Sequence, residues 1–197
     1  MGQDAQRVVN RPVLDFLLTR RSRPARTLVA PGPDREALSE MLTAAMRVPD
    51  HGKLEPWRFI VLERAALARL AALAEARAAA LGMDADKAAK GVAQFRAAPL
   101  MVAVVSAPVA SEKVPEVEQV LSAGAAALSL LNAALAAGWG ANWLTGWPAH
   151  DREFVERGLG LAPGESIAAF MVIGTETRQP PERPRPDMAA KVSWVGA

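Results

Sequence analysis

The sequence predicts a single domain that mixes helices and strands around one core, and three observations carry that reading. The chain has 197 residues, enough for one domain of ordinary to large size with a sizeable buried interior. Hydrophobic residues make up 51% and charged residues 22%, which are globular values. Apolar runs with strand composition, at Trp57–Leu62, Leu100–Ser106 and Ile167–Gly174, are separated by stretches rich in alanine and leucine with helical spacing.

Residues 1–10 read as a flexible N-terminal extension. From Pro12 to Thr19, the apolar positions Val13, Leu14, Phe16, Leu17 and Leu18 make a short helix that delivers Arg20 and Arg21 to its C-terminal end. Asp34 is placed to cap the next helix, whose apolar face is Leu38, Met41, Leu42, Ala45 and Met46. Between that helix and the strand starting at Trp57 runs Arg-Val-Pro-Asp-His-Gly-Lys-Leu-Glu-Pro-Trp, residues 47 to 57. Pro49 and Pro56 fix φ and bias Val48 and Glu55 away from helix, so the loop is stiff despite Gly52. It carries Arg47, Asp50, His51, Lys53 and Glu55. Two readings are open: a polar wall facing a ligand, or a solvated loop with local charge pairing in which Asp50 satisfies His51.

Ala65–Leu81 reads as a long helix, broken at Gly82-Met83-Asp84, with a second helical stretch continuing to about Arg96. Leu100–Ser106 is continuously apolar, the pattern of a strand covered on both faces. Glu118–Ala137 is an apolar helix read as a buried core element, with Ser122 and Gly124 permitting close approach of a backbone or a flat ligand. Gly138-Trp139-Gly140 ends it, Ala141–Leu144 makes a short strand, and Ala149–Leu159 a further helix. Residues 177–197 open with a proline- and arginine-rich extended arm, beyond which Val192, Trp194 and Val195 need a surface to dock on, in the same subunit or in a second one.

Composition narrows the chemistry. With 23 basic and 21 acidic side chains the net charge is +2, too weak a field for a nucleic acid or a membrane surface as the main partner. The basic residues are uneven, however: Arg11, Arg20, Arg21, Arg23 and Arg26 crowd one window, a local cluster suited to a small anion. The absence of cysteine removes disulfides, thiolate nucleophiles and structural zinc fingers, and fits a reducing cytoplasm. No apolar leader follows the N-terminus and no long apolar stretch carries membrane flanks. His51 and His150 are the two histidines; HExxH, GxSxG and GxxxxGK[ST] are all missing, and Gly138-Trp139-Gly140 opens no dinucleotide fingerprint. Neither a metal site nor a catalytic nucleophile is expected. A phosphorylated cofactor would have to be held by arginine side chains, and Arg20-Arg21-Ser22 offers guanidinium forks and a hydroxyl within one turn. The alternative is that these arginines simply complement the helix dipole.

Arg20-Arg21-Ser22 with Arg23 and Arg26, then Ala45 to Phe59, Lys113-Val114-Pro115, Glu118-Gln119, Ser122-Ala123-Gly124, Gly138 to Trp143 and Phe170 to Thr175, taken in order, resemble the flavin-dependent nitroreductase family, and within it the short YdjA-like subgroup. The resemblance implies an α+β, three-layer α/β/α fold, with a central, mostly antiparallel sheet flanked by helices over residues 11–176. It also implies a homodimer in which the C-terminal arm is exchanged and FMN lies at the interface. By the family pattern Arg20, Arg21 and Ser22 hold the FMN phosphate and ribityl end, Arg47 and His51 meet the flavin, His51 from the second subunit, and Trp143, Leu144 and Thr145 run beside the isoalloxazine. Leu144 and Thr145 stand where more polar residues are usual, and Arg183 or Arg185 would complete the phosphate site. The implied activity is an oxidoreductase that uses NAD(P)H to reduce small electron-poor molecules such as nitroaromatics and quinones, hydride passing through flavin N5 in a ping-pong cycle. An arginine near flavin N1 and O2, from Arg23, Arg26 or Arg47, would favour the reduced cofactor. Two rivals remain: a flavin enzyme of the same fold with dehalogenating, fragmenting or dehydrogenating chemistry, and a non-catalytic FMN carrier or sensor.

Overall fold

A computed structural model describes residues 8–196. The first seven positions of the expected extension and Ala197 lie outside the described residues. The centre is an antiparallel sheet of β1 (Leu28–Val29), β2 (Trp57–Leu62), β3 (Leu100–Ser106), β4 (Gly140–Leu144) and β5 (Ser166–Glu176). The eleven-residue β5 organises it, pairing with β3 from Ser166 to Ile173, with β4 from Phe170 to Gly174, and with β1 at Thr175 and Glu176, while β2 adds to β3. Every residue of β3 is buried, as its unbroken apolar run requires of a strand covered on both faces.

Six α-helices among the described residues complete three layers. They are α1 (Arg11–Thr19), α2 (Arg35–Ala45), α3 (Arg64–Ala80), α4 (Ala85–Ala97), α5 (Glu116–Ala136) and α6 (Arg152–Leu159). Met101, Ala103 and Val105 of β3 with Phe170 and Val172 of β5 pack under α3, α4 and α6. The alternate residues Leu100, Val102, Val104, Ala169, Met171 and Ile173 pack under α2 and α5. Strand alternation sorts the side chains in this way. Between Val104 and Val105 the register to β5 skips Ala168, and that extra residue returns Ile167 to the face of Phe170. The α+β, α/β/α arrangement expected from the sequence is the one observed.

Three local features differ from the sequence reading. Trp147–Ala149 forms a separate 3-10 turn and α6 starts only at Arg152, because Asp151 caps it by accepting from Phe154 N at 2.7 Å. The strand β1 is two residues long, too short to display a period. The helix α5 is long and apolar enough, by length and composition, to cross a membrane. Its inner face, Ala123, Ala127, Leu130, Leu131 and Ala134, is buried in the core. Its outer face, Val117, Val120, Leu121 and Leu128, is exposed in the single chain.

Candidate functional site

Helix α1 ends where Arg20 turns to extended backbone, its N–H still donating to Phe16 O at 2.7 Å. The chain then runs alongside β4: Arg23 N donates to Ala141 O at 2.9 Å, and the Asn142 side-chain amide donates back to Arg23 O. At the far end of the sequence Thr177 donates through its N–H and its hydroxyl to Thr27 O, at 3.0 and 2.8 Å. That staple holds the start of the C-terminal arm beside the N-terminal arginine loop. The outcome is a small polar pocket of about 130 Å³ lined by Arg20, Arg21, Ser22, Arg183 and Arg185, with Pro184 and Pro186 stiffening the arm.

The charges in this pocket are unbalanced. Arg20 donates to Ser22 Oγ at 3.0 Å, yet the Nε atoms of Arg20 and Arg21 are buried with no acceptor. Burial, followed by the proximity of Arg185, Arg21 and Arg23, holds the Arg20 guanidinium below its ordinary pKa. Two carboxylates offset part of the charge: Glu176 pairs with Arg23 at 3.1 Å, and Glu182 with Arg185 at 2.9 Å. Partly desolvated guanidinium groups with free donors and too few counter-charges could hold an anion. A phosphate monoester is an anion of the kind such a cradle could hold, because its oxygens can accept from several forks at once.

Because Arg23 and Asn142 tie the loop to β4, Trp143, Leu144 and Thr145 are brought to the same edge of the sheet as Arg20, Arg21 and Ser22. Trp143 is partly exposed and its indole N–H donates to Ala168 O at 3.1 Å. Leu144 packs against the core under α3, α4 and α6, and Thr145 is half-buried. Gly146 then reverses the chain at φ 66°, a conformation that favours glycine.

Arg47 and His51 do not line the Arg20 pocket. Arg47 lies exposed just beyond α2, and His51 is exposed on a loop that is strained and tightly fixed. Gly52, Lys53 and Glu55 all have positive φ, at 76°, 56° and 49°, and the two non-glycine residues each cost on the order of 1 kcal/mol. The loop persists because its surroundings determine it. Asp50 accepts from Leu54 N at 3.1 Å and Glu55 N at 2.8 Å. The indole of Trp57 donates to Ser122 Oγ at 3.1 Å, and that hydroxyl donates to Pro49 O at 2.7 Å. With Asp50 occupied by the backbone, the partner of His51 is Glu118 of α5, with Nδ1 and Oε2 2.7 Å apart. The sequence marked Glu118 as part of the Glu118-Gln119 motif but did not pair it with His51, from which it is 67 positions away. A cleft beside Leu144 is lined by Lys87, Lys90, Gln94 and Trp147.

Comparisons with known proteins agree with this architecture. The nitroreductase family model matches residues 17–175. An Escherichia coli K12 protein named "Putative NAD(P)H nitroreductase YdjA" is 38% identical over 164 residues, covering 82% of this chain and 87% of the relative. A Haemophilus influenzae relative is 37% identical over 165 residues, with the same coverage of 82% and 87%. Among solved structures, a Bacillus cereus nitroreductase-like protein superposes with a TM-score of 0.77 at 21% identity, over 93% of this chain and 95% of that one. A Desulfovibrio desulfuricans protein solved in complex with FMN superposes with a TM-score of 0.72 at 24% identity, over 94% and 97%. With the family model spanning most of its length and relatives well above 30% identity, the chain belongs to the nitroreductase family, a family of oxidoreductases.

Proposed function

We propose that the protein is an FMN-dependent, NAD(P)H-oxidising reductase of small electron-poor molecules, nitroaromatics and quinones among them. The observation that carries this reading is the cradle of Arg20, Arg21, Ser22, Arg183 and Arg185, which has buried unpaired donors and sits on the sheet edge that also presents Trp143, Leu144 and Thr145. In this assignment the cradle holds the FMN phosphate, and the end of β4 lines the flat ring. When bound, FMN would supply two-electron chemistry, accepting hydride from NAD(P)H and delivering it to the acceptor. The chain's own part is to grip the phosphate, shape the apolar slot and set the local charge. No protein nucleophile is required.

The working unit in this proposal is a homodimer, to which the arm at 177–197 and the loop carrying Arg47 and His51 contribute across the interface. Two features support it. Helix α1 has no buried residue, leaving Val13, Leu14, Leu17 and Leu18 exposed, and an isolated nine-residue helix is not stable in water. Helix α5 is apolar on both faces, which fits a helix covered by its own sheet on one side and by a second copy on the other. Trp194, 86% exposed near the end of the arm, would find its dock there too. An enzyme that consumes NAD(P)H would work in the cytoplasm.

The absorbance spectrum of the purified protein tests the cofactor, and steady-state NADH and NADPH oxidation with menadione or nitrofurazone tests the activity. Flavin absorbance with acceptor-dependent oxidation is the expected result. Bound flavin without nicotinamide oxidation would reassign the protein as a carrier, and a colourless protein that takes up no FMN would end the proposal.

A further inference from the structure

The pair formed by His51 and Glu118 has no part in gripping a phosphate or lining a flat ring, yet it is held with care. Helix α5 fastens the 47–57 loop at two points one turn apart. Ser122 Oγ accepts from the Trp57 indole at 3.1 Å and donates to Pro49 O at 2.7 Å, and Glu118 Oε2 lies 2.7 Å from His51 Nδ1. The first contact fixes the backbone and the second fixes the ring. Asp50, the nearest carboxylate in sequence, is taken by the N–H groups of Leu54 and Glu55. His51 Nε2 has no protein partner among the described residues, and the side chain is 61% exposed. An ion pair this open to water adds little to stability. Stability therefore does not account for a loop that carries positive φ at Lys53 and Glu55 and sets an imidazole on a carboxylate.

Composition sharpens the point. Histidine is the side-chain type that exchanges a proton near neutral pH, and the chain has two histidines, no tyrosine and no cysteine. His150, exposed after the Trp147–Ala149 turn, has no side chain orienting its ring among the described residues. Reduction by hydride consumes a proton as well. A quinone, NAD(P)H and one proton give the hydroquinone and NAD(P)+; a nitro group gives a nitroso group and water as one N–O bond breaks. We propose that His51 is the acid that supplies this proton and that Glu118 is its positioning residue. The charged imidazole donates through Nδ1 to Glu118 and presents Nε2–H to the acceptor. The Nε2–H bond breaks as an O–H bond forms on the acceptor, the neutral ring keeps its Nδ1–H on the carboxylate, and water returns a proton to Nε2. Glu118 thus reserves one nitrogen for the reaction. The role rests on the reductase reading above, with the 47–57 loop reaching the slot of a second copy, and adds to it an acid.

Stopped-flow reoxidation of the FMN-loaded, NADPH-reduced protein by menadione and by ferricyanide tests the proposal, because menadione takes up protons and ferricyanide takes only electrons. The ratio of the two rates cancels any loss of flavin or general damage to the fold. It should fall roughly 10²- to 10⁴-fold in His51→Gln, the usual contribution of a general acid, and by a smaller factor in Glu118→Ala. Nitrogen NMR of the flavin-free protein supplies a second readout. In its neutral form His51 should be the Nδ1–H tautomer in the parent and shift toward Nε2–H in Glu118→Ala. A ratio unchanged in His51→Gln or in Glu118→Ala, or an Nε2–H tautomer in the parent, would overturn the proposal. A protein that takes up no FMN ends the reductase reading and this role with it, whereas a flavin-loaded, active protein whose ratio does not move ends the role alone.

Discussion

Replacing Arg20 by Gln separates an anion-binding arginine from a structural one, because the two roles predict opposite patterns of stability and affinity. In the ligand-free chain Arg20 makes one side-chain hydrogen bond, to Ser22 Oγ at 3.0 Å, worth about 0.5–1.5 kcal/mol. Against that stand its buried unpaired Nε and its repulsion by Arg185, Arg21 and Arg23. Removing a partly desolvated, like-charged group relieves a cost that works against that loss. The ligand-free variant should unfold within about 1 kcal/mol of the parent, or roughly 2–4 °C in Tm for a chain of this size. Binding behaves differently: the loss of charge-assisted donors to a phosphate costs about 1.5–3 kcal/mol, raising the Kd for FMN roughly 10- to 100-fold. Thermal unfolding with and without FMN, together with a fluorescence titration of the cofactor, measures both quantities on one preparation. A variant that loses several kcal/mol of ligand-free stability yet binds FMN as tightly as the parent would refute the argument, since Arg20 would then be a structural arginine.

Further outcomes follow from other parts of the structure. Leu121→Glu on the exposed face of α5, where the side chain is 67% exposed in the single chain, should leave monomer stability within about 0.5 kcal/mol but move sedimentation from dimer toward monomer and release flavin; an unchanged dimer removes α5 from the interface. Gly91→Ala should lower thermal stability by about 1–3 kcal/mol despite the better helix propensity of alanine, because its Cβ would meet the Trp147 indole at 1.9 Å; a stabilised variant would show that the indole moves freely. Asp151→Asn keeps the cap on α6 but removes one of the two carboxylates facing Arg77, the other being Glu153, and should lower stability near neutral pH. The hydrogen bond from Arg77 holds the Asp151 pKa below its ordinary value, so this stabilisation is complete above the usual carboxylate range and lost as pH falls through the folded value. Urea midpoints of parent and variant should therefore converge in acid, and a gap that stayed constant with pH would contradict the pairing.

How far the fold could be read from the chain depended on whether a signal was local. The strands β3 and β5 were legible because continuous apolar runs of seven and eight residues between breakers admit few other structures, and α2 was legible from Asp34 and its apolar face. The two-residue β1 had no period to detect, and the start of α6 was misplaced because the cap at Asp151 competes with a helix-compatible stretch before it. The site divided along the same line. Arg20-Arg21-Ser22 stood out as a local charge cluster, but seating Arg183 and Arg185 beside it depends on the Thr27–Thr177 staple, a pairing of residues 150 positions apart. The partner of His51 was assigned locally to Asp50 as an alternative, whereas a strained loop backbone occupies Asp50 and leaves the imidazole to Glu118.

In the proposed dimer, the strained loop and the two-faced helix would share an explanation in the position of Glu118. It lies on α5 between Val117 and Val120, on the stretch of helix whose apolar residues remain exposed, and it holds an imidazole that the 47–57 loop has been bent to deliver. Backbone strain of this kind persists only where surrounding contacts over-determine it, and here the capping by Asp50 and the Trp57–Ser122–Pro49 chain of hydrogen bonds supply those contacts. A solvated loop would gain nothing from such fixation. A loop that must present Arg47 and His51 to a second copy, across the surface where α5 and α1 leave their leucines and valines uncovered, would gain a preorganised interface. On that reading the dimer and the flavin site are a single structural requirement, so a substitution that separates the subunits should also empty the site even when every arginine of the cradle is intact.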